Sequence, residues 1–423
     1  MKTASDMNRK DPGVEDRSLN IAMLSIHSNP MGELGTKDTG GMSVYIRELA
    51  KALGACGHTI DIYTRVNNHH RNSVETLYRN VRLIYLGVAT DQHVPKSALY
   101  RYMNDFNNTL EIYRAKHDIA YDLIHSHYWL SGQLGQWAQQ LWNIPHLLMF
   151  HTLGIVKNLT GIGEAESELR ISTEKELARA CHRILAPTFR EKQNLIQFYF
   201  ADENRIGVVP CGVNLDLFRP LDRAAARSRL GLNPEDSIIL FVGRFDPLKG
   251  IDRLFLAMTN LRHRKNLQLV VIGGDGDQSS EFQRLHGMSS ELGIQEAVSF
   301  VGRVDQKSLP VYYSAADILV VPSHYESFGL VGLESLACGT PVVSTRVGVL
   351  EDILEENNIG HLVENTTPRS LAEGIEKILS DPDALRLPSD NIRSAVCRFR
   401  WTKIASTIVD EYFRVLHRQE TFQ

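Results

Sequence analysis

The chain has 423 residues, 43% of them hydrophobic and 23% charged, with a formal net charge of −4 at neutral pH. That length supports two or three domains with their own cores, and the balance of charge excludes a generally basic surface built for nucleic acid. Cys56, Cys181, Cys211, Cys338 and Cys397 are scattered and form no CxxC, which fits buried thiols in a reduced, cytoplasmic protein rather than a disulfide framework.

Residues 1–18 are polar and mixed in charge, lack the apolar stretch of a signal peptide, and read as a flexible tail. No apolar run reaches membrane-spanning length, so no stable membrane insertion is expected. Residues 19–25 (LNIAMLS) read as a buried strand. A polar loop follows and ends in Asp38-Thr39-Gly40-Gly41, and residues 42–53 then repeat apolar side chains at helical spacing. This is strand, glycine loop, helix. The paired glycines let backbone amides approach a phosphate, although a tight turn would use them too.

Further strands are expected at 58–65, 81–86, 121–126 and 145–150, alternating with helical stretches as in doubly wound α/β domains. His125 and His127 share a strand face, but no further ligands are spaced nearby, so they are not read as a metal site. His151 and Thr152 sit at the carboxyl end of the 145–150 strand, the ligand side of such sheets. Residues 206–210 are a last strand, and 211–218 read as the passage into a second domain.

In the second half, residues 238–243 (IILFVG) form a buried strand followed by Arg244 and, after a proline turn, Lys249. A guanidinium and an ammonium at one strand end suit a diphosphate leaving group. Strands are expected at 267–274 and 298–302, and Asp275-Gly276-Asp277 is read as turn chemistry rather than a metal motif. A strand at 316–321 runs into Glu326-Ser327-Phe328-Gly329, and residues 330–336 then have helical periodicity. Strand, turn and helix again place free N–H groups and a positive dipole end at a strand's carboxyl end. Glu326 and Glu334 are eight residues apart, and one of them lies in the helix, which sets their backbones roughly 10–12 Å apart. That exceeds a glycosidase pair and suits two roles along one long ligand. A strand at 341–345 and a helix at 371–379 follow. Residues 401–416 carry Ile404, Ile408, Tyr412, Phe413 and Leu416 on one helical face.

ESFGLVGLE (326–334) resembles the glutamate-spaced motif of retaining GT-B glycosyltransferases, the large family that holds sucrose-phosphate synthase, phosphatidylinositol mannosyltransferase and the mycothiol-pathway enzyme. Gly243 to Gly250 resembles the family's GRxxPxKG string, GGMSVY its first loop (with Ser43 where Asn is usual), and His151-Thr152 its His-Thr pair. The resemblance runs from about Leu19 onward. It implies an α/β fold, GT-B, with two Rossmann-like doubly wound domains facing across a cleft. The acceptor domain would span 19–212, completed by a helix at 400–423, and the donor domain 213–399.

The implied roles follow residue by residue. Gly40, Gly41, Arg244, Lys249, Glu326, Ser327, Phe328, Gly329, Leu330 and Glu334 would bind a nucleotide-sugar, with His151, Arg244, Lys249 and Glu326 at the reacting centre. Lys96, Tyr128, Thr152 and Arg170 would bind the phosphate of a small acceptor, where the alternative for Lys96 and Arg170 is ordinary solvated surface charge. No cofactor is implied, Mg²⁺ is allowed but not required, and a homo-oligomer is allowed. A nucleotide-sugar epimerase or hydrolase, a lipid-acceptor enzyme and a non-catalytic sugar-nucleotide binder remain as alternatives.

Overall fold

The computed structural model describes residues 17–35, 39–66, 73–88, 96–274, 276, 279–381 and 387–420. The expected tail therefore falls almost wholly outside the described residues, as do Asp38, Asp275, Asp277 and the side chain of Lys96.

The apolar runs of the first half become strands β1 (Asn20–Leu24), β2 (Thr59–Arg65), β3 (Val74–Tyr78), β4 (Val81–Leu86), β5 (Leu123–His127), β6 (His146–Met149), β7 (Arg183–Ala186) and β8 (Ile206–Val208). They form one sheet in the order β3-β4-β2-β1-β5-β6-β7-β8. All its pairings are parallel except β3 with β4. The second half gives β9 (Ser237–Val242), β10 (Leu267–Ile272), β11 (Val298–Gly302), β12 (Ile318–Val321), β13 (Val342–Ser344) and β14 (Gly360–Leu362). These make an all-parallel sheet in the order β11-β10-β9-β12-β13-β14. Both sheets carry helices on both faces, which explains why their central strands read as continuous Ile, Leu and Val rather than alternating.

The strand orders decide where a ligand can sit. In the first sheet the chain builds outward from β1 in both directions, so the order reverses between β1 and β5. In the second it reverses between β9 and β12. Each reversal opens a crevice beyond the carboxyl ends of its two strands. The segments that leave β1, β5, β9 and β12 carry Gly40 and Gly41, Tyr128, Arg244 and Lys249, and Glu326 in turn, with Tyr128 opening a helix directly at the end of β5.

Helix Trp401–Glu420 returns from the second sheet and packs on helix Gly41–Ala55 of the first. Its apolar face buries Ile404, Ile408 and Tyr412, each worth about 1.5–3 kcal/mol. Three polar contacts fix its placement. Glu411 pairs with Arg183, Tyr412 Oη meets His125 Nδ1 at 2.8 Å, and Val213 N donates to Phe399 O at 2.8 Å where the chain crosses between domains. Gly212 faces the Trp401 ring so closely that a Cβ there would lie 2.4 Å from it. Any larger residue would push the returning helix away.

Candidate active site

A single cleft of about 400 Å³ lies where the two crevices face each other. His151, Thr152, Tyr128, Arg170, Gly40, Gly41, Arg244, Lys249, Glu326, Ser327, Phe328, Gly329, Leu330 and Glu334 all line it. The structure thus brings together every expected site residue except Lys96. Lys96 begins a short 3-10 helix, Lys96–Tyr102, and its side chain is outside the described residues.

On the second-domain wall, Gly250 makes the key approach. Its φ of +69° is one that L side chains rarely adopt, and a Cβ there would sit 2.1 Å from Pro322 O. That closeness sets the loop after β9 against the loop after β12. Lys249 Nζ consequently reaches Glu326 Oε1 at 2.5 Å, and Ser323 Oγ donates to the same oxygen at 3.1 Å. Arg244 stands beside them, with Nη2 3.4 Å from Asp246 Oδ2. Gly329, at φ +95°, caps helix Leu330–Ala337. Among the described residues no protein acceptor meets the Phe328 and Gly329 amides, which leaves both for a ligand. Glu334, one turn inside the helix, is buried and accepts from Tyr313 Oη at 2.9 Å and Gln306 Nε2 at 3.4 Å. Burial pushes its carboxyl up to about 7.

The two walls also touch directly. Ser327 Oγ donates to Glu191 Oε2 at 2.7 Å, so this hydroxyl, which lines the cleft, also reaches across it to the first domain. Burial pushes Glu191 up to about 7. Leu153 N donates to Tyr325 Oη at 3.2 Å, and Arg47 Nη2 donates to Gln306 Oε1 at 2.6 Å. Gln306 therefore links the first domain to Glu334. Gly41 abuts Leu330, while a Cβ on Gly40 would meet nothing within 4 Å, so that backbone faces open cleft.

On the first-domain wall two side chains hold left-handed backbone at adjacent strand ends, Tyr128 at φ +75° after β5 and His151 at φ +61° after β6. Such conformations are uncommon outside glycine and concentrate at functional sites. His151 keeps some exposed surface, although protein packs densely around its ring. That burial lowers its pKa to about 3, so the imidazole is neutral. Its Nε2 lies 2.9 Å from Nδ1 of His127.

Arg170 is only 2% exposed, which overturns its reading as a solvated surface charge. Nε donates to Glu174 Oε1 at 2.6 Å, Nη2 to Thr152 O at 2.8 Å and Thr152 Oγ1 at 2.9 Å, and Nη1 lies 2.8 Å from Glu166 Oε1. The guanidinium also stacks over the Tyr128 ring at 4.9 Å. Four of its five N–H groups are thus committed within the protein. Lys157 pairs with the same Glu166 oxygen. Burial works against the charge on Glu166, yet Arg170 and Lys157 hold its carboxyl below the ordinary value. Two cations and two carboxylates make this corner neutral as it stands.

Sequence reasoning missed four polar residues here. Lys157 gave no motif. Arg303 lines the cleft and lies 3.3 Å from Glu33. It ends a second FVGR string (300–303) that repeats the FVGR of 241–244 at the matching end of another strand, a signal that could have found it. Glu191 meets the cleft through a contact between domains, and Gln306 joins Arg47 of the first domain to Glu334 of the second. Among the described residues no cluster of three or more His, Cys, Asp or Glu could hold a metal ion, and no helix is long and apolar enough to cross a membrane.

Two doubly wound domains, with strand-end loops meeting across one cleft, define the GT-B class of glycosyltransferase. The description "Glycosyltransferase Family 4" matches residues 39–217, and "Glycosyl transferases group 1" matches residues 222–395. D-inositol 3-phosphate glycosyltransferase 2 of Catenulispora acidiphila is 38% identical over 403 residues, covering 93% of this chain and 94% of its own. The D-inositol 3-phosphate glycosyltransferase of Corynebacterium glutamicum is 35% identical over 93% of this chain and 96% of its own. The structure of a sucrose-phosphate synthase from Thermosynechococcus elongatus superposes with a TM-score of 0.87 at 34% identity, over 95% of this chain and 100% of its own. The chain belongs to glycosyltransferase family 4, in which a group 1 transferase domain forms the second half, and it is a glycosyltransferase.

Proposed function

We propose that the chain is a retaining hexosyltransferase that takes a UDP-sugar as donor and a small phosphorylated polyol or sugar, of the inositol phosphate or fructose 6-phosphate kind, as acceptor. The observation that carries this reading is the facing of two different polar walls, each carrying cations, across one cleft. Arg244, Lys249 and the open amides at Phe328 and Gly329 stand on one side, and Arg170, Lys157, Thr152 and Tyr128 stand on the other. The relatives named for inositol 3-phosphate and for sucrose phosphate support a phosphorylated acceptor.

In this account Glu334 accepts hydrogen bonds from the donor's ribose hydroxyls. Glu326 and the two amides hold the hexose, and Gly40 and Gly41 close over the phosphates. His151 orients sugar hydroxyls beside the anomeric carbon. Arg244 and Lys249 stabilise the charge that grows on the diphosphate as its bond to the anomeric carbon breaks. The acceptor hydroxyl forms its bond on the same face of the sugar, and its proton passes to the departing phosphate oxygen, so configuration is retained without a protein nucleophile. The Arg and Lys charges serve in place of a divalent ion, and Mg²⁺ is not required.

The test is to incubate the protein with UDP-, GDP- and ADP-sugars, with and without each acceptor, and to read the product's anomeric configuration by NMR. An α-linked product from an α-linked UDP-sugar supports the proposal. Inversion, or donor consumption independent of acceptor, contradicts it. The second of those outcomes would mark an epimerase or hydrolase.

A further inference from the structure

His151 lines the cleft, and one of its two ring nitrogens is already occupied: Nε2 lies 2.9 Å from Nδ1 of His127. A hydrogen bond between two neutral imidazoles needs one proton between the nitrogens, and either ring can supply it. The surroundings of His127 decide which. That ring is fully buried at the end of β5. The His125 ring centroid lies 4.3 Å from its own on one side, and the Tyr45 ring centroid lies 5.6 Å from it on another. Its Nε2 has no hydrogen-bond partner among the described residues.

If His151 donated, the single proton of neutral His127 would sit on that orphaned Nε2, leaving an N–H buried with no acceptor. If His127 donates through Nδ1, the orphan is only a lone pair. Protein interiors tolerate under-used acceptors better than stranded N–H groups. Protonating both His127 nitrogens is opposed by burial and by the neighbouring imidazoles, which push its pKa well below the ordinary histidine value.

We propose that His127 is a positioning residue that donates from Nδ1 to His151 Nε2. It thereby fixes His151 as the neutral Nδ1–H tautomer, which presents a hydrogen-bond donor, and no acceptor, to whatever occupies the cleft. Resting on the glycosyltransferase reading, the occupant of that position is an oxygen of the transferred hexose. His151 then selects a sugar oxygen that can accept there, and it cannot act as a general base toward the acceptor hydroxyl. The hydrogen bond on one imidazole nitrogen setting the chemistry of the other is general histidine behaviour.

The test has two parts. Long-range proton–nitrogen correlation spectra of the ¹⁵N-histidine-labelled full chain distinguish the two tautomers directly. The His151 signals are assigned by their loss in His151→Gln. An Nδ1–H His151 is expected, and an Nε2–H or doubly protonated ring overturns the proposal. This readout stands whether or not the protein transfers a sugar, so it fails separately from the functional reading.

The second part compares His127→Asn, whose side-chain N–H falls near the position of Nδ1, with His127→Leu, which fills the space without a donor. Leu is expected to lower kcat about 10–100-fold with little change in the donor KM, by analogy with other orienting partners of functional histidines. Asn is expected to retain most activity. A purely space-filling role predicts the reverse order, and that order would overturn the proposal.

Discussion

The neutral corner at Arg170 gives the sharpest electrostatic prediction. Lys157 and Arg170 share one oxygen of Glu166, and Arg170 also holds buried Glu174. An acceptor phosphate adds a charge of about −1.5 to −2. Arg170→Ala is a poor probe of that site. It would leave Glu174, which is 0% exposed, without its cation, and breaking a buried pair costs about 3–5 kcal/mol in folding stability. Glu166→Gln and Lys157→Met keep shape and change charge by one unit in opposite senses. A unit charge roughly 5 Å from a phosphate is worth about 3 kcal/mol per charge at an effective dielectric of 20. Glu166 and Lys157 are 21% and 24% exposed, and solvent screening brings the expected effect to about 1–2 kcal/mol. Titration calorimetry with the phosphorylated acceptor should therefore show Glu166→Gln binding about 5–30-fold tighter and Lys157→Met weaker by a similar factor. Donor affinity should hold in both. The two variants shifting affinity in the same direction, or shifting the dephosphorylated acceptor equally, would refute the charge argument.

Lys249→Ala should lower kcat about 10²–10³-fold and weaken nucleoside diphosphate binding, because it removes a cation from the leaving group and unmasks Glu326; unchanged steady-state kinetics would remove that role. Glu334→Gln should raise thermal stability at pH 8 but not at pH 4.5. The buried carboxyl, raised to about 7, disfavours the folded state as pH climbs from its unfolded value through the folded one, by about 3–4 kcal/mol in all. The same variant should bind donor more weakly, and a melting curve equally pH-sensitive in both proteins would contradict the assignment. EDTA should leave turnover nearly intact; complete loss restored by Mg²⁺ would show that Arg244 and Lys249 do not suffice.

Much of this architecture is legible in the sequence because the sheets are buried on both faces. IILFVG and LQLVVIGG announce themselves as strands whatever surrounds them. β7, with Arg183 at its head, and β14, only three residues long, carry too little apolar signal to stand out. β3 is an exposed, partly polar edge strand whose pattern has no core to obey. The second-domain wall of the cleft was legible because single strings place Arg244 beside Lys249 and Glu326 ahead of a helix. The corner around Arg170 was half legible. Glu174 stands four residues after Arg170 on one face of helix Glu168–Ala180, a spacing that argues against a solvated arginine, whereas Glu166 lies ahead of that helix's cap and gave no such signal. The contacts of Glu191, Gln306 and His127 could not be read at all. Each acts through a partner more than 20 residues away: Glu191 and Gln306 meet residues of the facing domain, and His127 meets His151 at the end of the neighbouring strand.

The central claim is that one cleft joins a nucleotide-sugar to a phosphorylated acceptor. It is tested most directly by nucleoside diphosphate release from the purified chain, comparing each acceptor with its dephosphorylated counterpart. The account predicts release that requires the phosphorylated acceptor and matches the sugar transferred. Equal release with the dephosphorylated acceptor, or with none, would contradict it.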